Sequence, residues 1–186
     1  MASRGITGAD ATDIRNSNAE ARFLRAFNYW VMMDLFGRST FINENDPVGA
    51  VTPNEKKRDE LYSFIISELT SIESALPAAR SAEYGRVDRG ACWALLARIY
   101  LNAKTYIGVE KNTEALTYAK KVIDAGYTLH PDYADLFMAD NHTCTDEMIF
   151  TANCDGLRTQ AYGNTTFFVH AAAGDDHDQY GVGGGW

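Results

Sequence analysis

The chain has 186 residues, 46% of them hydrophobic, enough for one domain with a buried core. A net charge of -8 leaves no basic stripe to meet phosphates and excludes a nucleic-acid surface. Three cysteines, Cys92, Cys144 and Cys154, stand at unrelated spacings that form neither a zinc pattern nor a disulfide framework, although Cys144 and Cys154 are free to pair in an oxidising compartment.

Met-Ala-Ser-Arg runs straight into polar sequence, with no apolar leader region and no lipid-acceptor cysteine. The first predicted helix is capped by Thr12 or Asp13 and runs through AEARFLRAFNYWVMMDLFG to Gly37, which takes the left-handed conformation that ends it. Phe23, Ala26, Phe27, Trp30, Val31 and Asp34 recur at three and four residues and share one broad face. Arg22, Arg25, Asn28 and Asp34 make the segment too polar to span a membrane.

RSTFINENDPVGAV, residues 38–51, reads as a connection. Thr52, Pro53 and Glu55 carry the cap, the first-turn proline and the capping-box glutamate of a second helix. Its inward face is Leu61, Phe64, Ile65, Glu68, Leu69, Ile72 and Leu76, and Pro77 stops it. After a loop over 77–86, Asp88 caps a third helix, DRGACWALLARIYLNA, apolar around much of its circumference, with Cys92 buried inside it. A fourth starts at about Thr113, turns Leu116, Ala119, Val122 and Ile123 inward and stops at Gly126.

Trp93, Leu96, Ala97, Tyr100 and Tyr106 fall at the spacings of a tetratricopeptide repeat's first helix and turn, and Ala115 and Ala119 suit its second. The expected fold is therefore mainly α: tetratricopeptide-like helix pairs, an α-α superhelix, followed by a loop-rich C-terminal part with short strands. Residues 1–186 are expected to form a single domain, with the helical core over 11–126 and the loop-rich segment over 127–186. In that segment Tyr133 to Met138 is a short amphipathic stretch, EMIFTAN (147–153) reads as a strand, and Thr165 to Val169 as another.

Four stretches in order, AEARFLRAFNYWVMMDLFG, YGRVDRGACWALLARIYLNA, AGYTLHPDYADLFMADN with EMIF, and DGLRTQAYGNTT, resemble the SusD/RagB-like outer-membrane glycan-binding family. The similarity is strongest to its starch-binding member. The resemblance implies a lipid-anchored protein on the outer face of the outer membrane that captures oligosaccharide, an α-glucan in the starch-binding case, and caps a TonB-dependent transporter without catalysis. Family members are considerably longer than this chain. In the starch binder an arc of aromatic rings cradles the glucan, and Tyr162 falls at the position of one of them.

Aromatic rings bind sugars because the axial C–H face of a pyranose is apolar enough to stack on a π-face while neighbouring polar groups serve the hydroxyls. Tyr162, between Gln160 and Asn164, offers such a platform, with Asn164 and Arg158 as hydrogen-bond donors. Without the resemblance, Tyr162 reads as a partly buried loop tyrosine. Asp140, Asn141, Asp146 and Glu147 bring four oxygen-bearing side chains into one loop, but without EF-hand spacing they read as a solvated acidic loop; His177 among Asp175, Asp176 and Asp178 reads as exposed tail. No metal and no cofactor is expected. There is no Gly-x-Ser-x-Gly elbow, no His-Glu-x-x-His and no phosphate-cradling glycine loop, so no enzyme is expected either. The alternative to a sugar binder is a tetratricopeptide-like scaffold that binds protein.

Overall fold

The structure, a computed structural model, describes residues 9–46, 49, 53–138, 140–153 and 178. The chain divides into two compact units, residues 1–150 and 151–186. The described helices and strands lie in the first; in the second, Thr151 donates from its hydroxyl to the Asn153 side chain at 2.7 Å.

Helix α1 (Ala9–Phe36) starts ahead of the expected cap at Thr12 or Asp13. Nothing between 9 and 13 breaks a helix, and alanines there favour extending it; the Thr12 hydroxyl accepts a hydrogen bond from Arg15 within the helix instead. Its other end is as expected: Gly37 has φ +71° and its N–H donates to the Met33 carbonyl at 3.0 Å. Ala19, Phe23, Ala26 and Met33 are buried, and Phe27 and Trp30 pack on the core from its margin.

The next stretch differs from expectation. Part of the predicted connection is strand β1 (Arg38–Phe41), antiparallel to β2 (Asn54–Lys57), with Arg38 opposite Lys57 and Phe41 opposite Asn54. Helix α2 (Arg58–Ile72) accordingly begins several residues after Thr52, and its capping carboxylate is Glu60, which accepts the Lys57 N–H at 3.0 Å. Glu55, the expected capping residue, instead reaches Arg38 across the ladder. Pairing with β1 outweighs the local Thr-Pro-x-Glu signal because Phe41 locks between Tyr29 of α1 and Phe64 of α2, with ring centroids 5.1 and 4.7 Å apart.

On α2 the expected inward face is confirmed: Leu61, Ile65, Glu68, Leu69 and Ile72 are buried, with Leu76 just beyond, and Phe64 is partly buried. A 3₁₀ turn (Glu73–Ala75) ends the helix, and Arg89 collects the carbonyls of Glu73, Ser74 and Leu76, satisfying acceptors that have no partner within α2. Helix α3 (Arg89–Leu101) is capped as expected, Asp88 accepting the Ala91 N–H at 3.2 Å. A short helix α4 (Ala103–Ile107) closes on Gly108 at φ +73°, and α5 (Asn112–Asp124) follows. Helix α1 packs on α2 and α3 on α5, the tetratricopeptide-like pairing.

Two expectations fail near the end of this unit. On α5, Ala115 is buried while Leu116 and Ile123 face outward at 63% and 70% exposure; the surface turned to α3 carries Tyr118, which stacks on Tyr100 at 5.7 Å. Residues 147–153 form no strand: Glu147 ends a turn and no ladder partner lies beside EMIF among the described residues, while Phe150 turns inward onto Phe23 and Phe27. Within 127–153 the regular structure is 3₁₀, at Tyr133–Phe137 and Asn141–Thr143.

Candidate functional site

Tyr162, Asn164 and Arg158 lie outside the described residues, as do Cys154, His177 and the expected strand at 165–169. The described part shows what the preceding elements do and which of their side chains are committed to structure.

The rings of α1 are scaffold. Phe150 meets Phe23 edge-on at 5.4 Å and Phe27 lies 5.5 Å from Trp30. The Trp30 indole N–H donates to the Tyr106 hydroxyl at 3.4 Å, and that hydroxyl donates to Asp34 at 2.6 Å. Between α1 and α2, Glu68 accepts from Arg22 through Nη2 at 2.6 Å and Nε at 3.2 Å, and also from Arg25, which reaches on to Glu44. Burial alone would push the Glu68 carboxyl up, but the two guanidinium groups hold it below the usual carboxylate range. Between α2, α3 and α5, Glu73 accepts from the Trp93 indole at 2.8 Å and from Lys121 at 2.7 Å, with the Lys121 ammonium 4.5 Å from the Tyr118 ring centre. These charges join helices and are occupied by one another.

The acidic loop is likewise turned inward on itself. Asp146 faces the His130 ring at 3.2 Å, Glu147 accepts the His130 backbone N–H at 2.9 Å, and Asn141 donates to the Leu136 carbonyl at 3.0 Å. Asp135 faces the opposite edge of the imidazole at 3.3 Å, so the ring separates the carboxylates and no metal-binding group forms among the described residues. Cys144 is a free, buried thiol, and burial pushes the Cys92 thiol up to about 12.

Two of the open surfaces among the described residues bear on ligand binding. A groove of about 420 Å³ between α1 and the 77–86 loop is lined by Asp13, Asn16, Ser17, Glu20, Glu83 and Arg86. Glu20 neutralises Arg86 through three hydrogen bonds, leaving Asp13 and Glu83 to give the groove a negative potential that disfavours anionic ligands. The second surface was missed by the sequence reading. Only Leu136 of the expected amphipathic stretch is buried, while Tyr133 and Phe137 stand 73% and 70% exposed with centroids 5.0 Å apart. A spacing of four residues puts two rings on one face of an α-helix, and although the turn here is 3₁₀ the two rings still meet.

No family model matches the chain. It is 40% identical to the starch-binding protein SusD of Bacteroides thetaiotaomicron across 98% of its own length and 32% of that protein. Among solved structures, a SusD superfamily protein from Parabacteroides distasonis superposes with a TM-score of 0.70 at 26% identity, covering 91% of this chain and 37% of that one. Surface glycan-binding protein A from Bacteroides thetaiotaomicron, in complex with laminarihexaose, superposes with a TM-score of 0.55 at 25% identity over 73% of this chain and 27% of that one. The chain thus spans about a third of the length of the curated relatives SusD and SusD-like protein P2. Identity of 40% along nearly all of its residues, joined to the same helical arrangement in solved superfamily members, places the chain in the SusD-like family, as a partial region of it.

Proposed function

We propose that the chain is part of a non-catalytic glycan-binding protein of the outer-membrane surface, which captures starch-type oligosaccharide and delivers it to a TonB-dependent transporter. The observation that carries this reading is the 40% identity with the starch-binding protein SusD over 98% of the chain. In this reading Tyr162 stacks on a glucose ring, Asn164 and Arg158 hydrogen-bond its hydroxyls, and the helix pairs are the rigid support for that loop. Calorimetric titration of the longer polypeptide with maltooligosaccharides tests it, with laminarihexaose as the comparison ligand. Binding is expected for the maltooligosaccharides and is lost at least about tenfold in Tyr162→Ala, the worth of one stacking contact. Unchanged affinity in that variant removes the site, and no affinity for either sugar in a folded protein removes the function. Incubation with starch is expected to release no new reducing ends.

The outward Leu116 and Ile123 favour one alternative, a helical scaffold that binds protein through α5. Capture of a defined partner by a protein without sugar affinity, abolished by substitutions at these two positions, would establish that reading instead.

A further inference from the structure

Residues 127–147 follow the last helix with little apolar anchorage: Leu136 and Cys144 are buried, while Leu129, Tyr133, Phe137 and Met138 are exposed. Polar contacts centred on His130 hold the segment together. Thr128 donates its N–H to the Asp146 carbonyl at 3.1 Å, and His130 donates its N–H to Glu147 at 2.9 Å, drawing the two ends of the segment side by side. Between them the imidazole spans two carboxylates, Nδ1 lying 3.2 Å from Asp146 and Nε2 3.3 Å from Asp135 on the 133–137 turn. A neutral imidazole has one N–H; it can serve one carboxylate but turns a lone pair toward the other. The imidazolium serves both. We propose that His130 is a proton-dependent latch, closing the 127–147 segment through Asp135 and Asp146 when the ring is charged and freeing one of these arms when it is neutral.

The surroundings leave that role to His130. No lysine or arginine occurs from 127 to 147 to compete for the two carboxylates. Cys144 Sγ lies 3.7 Å from Nε2. Asp132 is committed to its own turn, accepting the Ala134 N–H at 2.9 Å, Asp140 precedes the 141–143 turn, and the His142 ring faces Tyr84. Arg80, at the start of the segment, lies over the Tyr127 ring. Hydrogen bonding of the ring to the Asp146 carboxylate, with that to Asp135, raises the imidazole above its ordinary pKa. A raised folded-state pKa makes the latch's contribution complete below the unfolded imidazole value and lost as pH rises through the folded one.

NMR titration of the imidazole resonances from about pH 5 to about pH 9, with amide exchange corrected for its intrinsic pH dependence, reads the latch directly. His130 is expected to titrate above ordinary histidine, and the Thr128 and His130 amides to lose protection across the same midpoint. In Asp135→Asn, whose parent side chain is more than half exposed, the His130 midpoint is expected to fall toward the ordinary value; in His130→Gln the protection is expected to become independent of pH. A wild-type midpoint at or below ordinary histidine overturns the proposal, as does an unmoved midpoint in Asp135→Asn or a pH-dependent loss of protection that survives in His130→Gln. The wild-type titration decides the matter even if a variant fails to fold.

Discussion

Glu68 is a buried carboxylate that answers to two guanidinium groups from the neighbouring helix, and its removal leaves the part-buried Arg22 with Ser71 and Arg25 with the exposed Glu44 as remaining partners. Glu68→Ala is expected to cost about 3 kcal/mol in urea unfolding, chiefly because the two part-buried guanidinium groups lose the carboxylate they share. Because the folded carboxyl titrates below its unfolded value, this contribution is present above the ordinary carboxylate range and is lost as pH falls through the lowered pKa. Glu68→Gln should therefore flatten the acid limb of the stability profile below about pH 4. Gly90 is set by sterics alone: a Cβ there would lie 2.2 Å from the Tyr127 hydroxyl and 3.0 Å from the ring carbon that bears it. Gly90→Ala is expected to cost about 1–3 kcal/mol. Adding Tyr127→Phe should recover only part of that, since the ring carbon remains, and a double-mutant cycle of melting curves measures the share.

Asp88 shows how much one helix terminus depends on one side chain, for it accepts both the Ala91 N–H and the Arg80 N–H, the latter at 2.6 Å, while only 5% exposed. Asp88→Ala should lower stability by about 1–2 kcal/mol, with exchange of the α3 first-turn amides accelerated more than that of α5. That cap was legible in the sequence, as were Gly37, the buried face of α2 and the pairing of helices, because each rests on neighbours within a turn or two or on a repeated period. The β1–β2 hairpin was not, since Phe41 finds Phe64 only after the chain has folded back, and no local pattern states that partner. Nor was the tilt of α5: both Leu116 and Ala115 fit an inward stripe, and the stacking of Tyr118 on Tyr100 decides between them. For the candidate site, the residues alone made Tyr162 a partly buried loop tyrosine among polar neighbours, and resemblance supplied its role. The His130 latch was invisible because its two carboxylates are placed by turns rather than by spacing.

Taken whole, the first unit carries a net-negative chain's charge in paired networks while leaving Leu101, Leu116, Ile123, Leu129 and Phe137 open to solvent. Leu116→Gln combined with Ile123→Lys is expected to shift unfolding free energy by no more than about 0.5 kcal/mol, as suits exposed sites, while reducing self-association measured by light scattering. An unchanged particle mass would show that association, if any, uses another face. Phe150 gives the unit a temporal order as well. Its ring closes over Phe23 and Phe27, contributed by the first helix, although it belongs to the last described residues of the unit. During synthesis the first helix therefore leaves the ribosome with part of its aromatic row bare, and the row is sealed only when nearly the whole unit has emerged, so a stalled or truncated nascent chain is the form most exposed to misassociation.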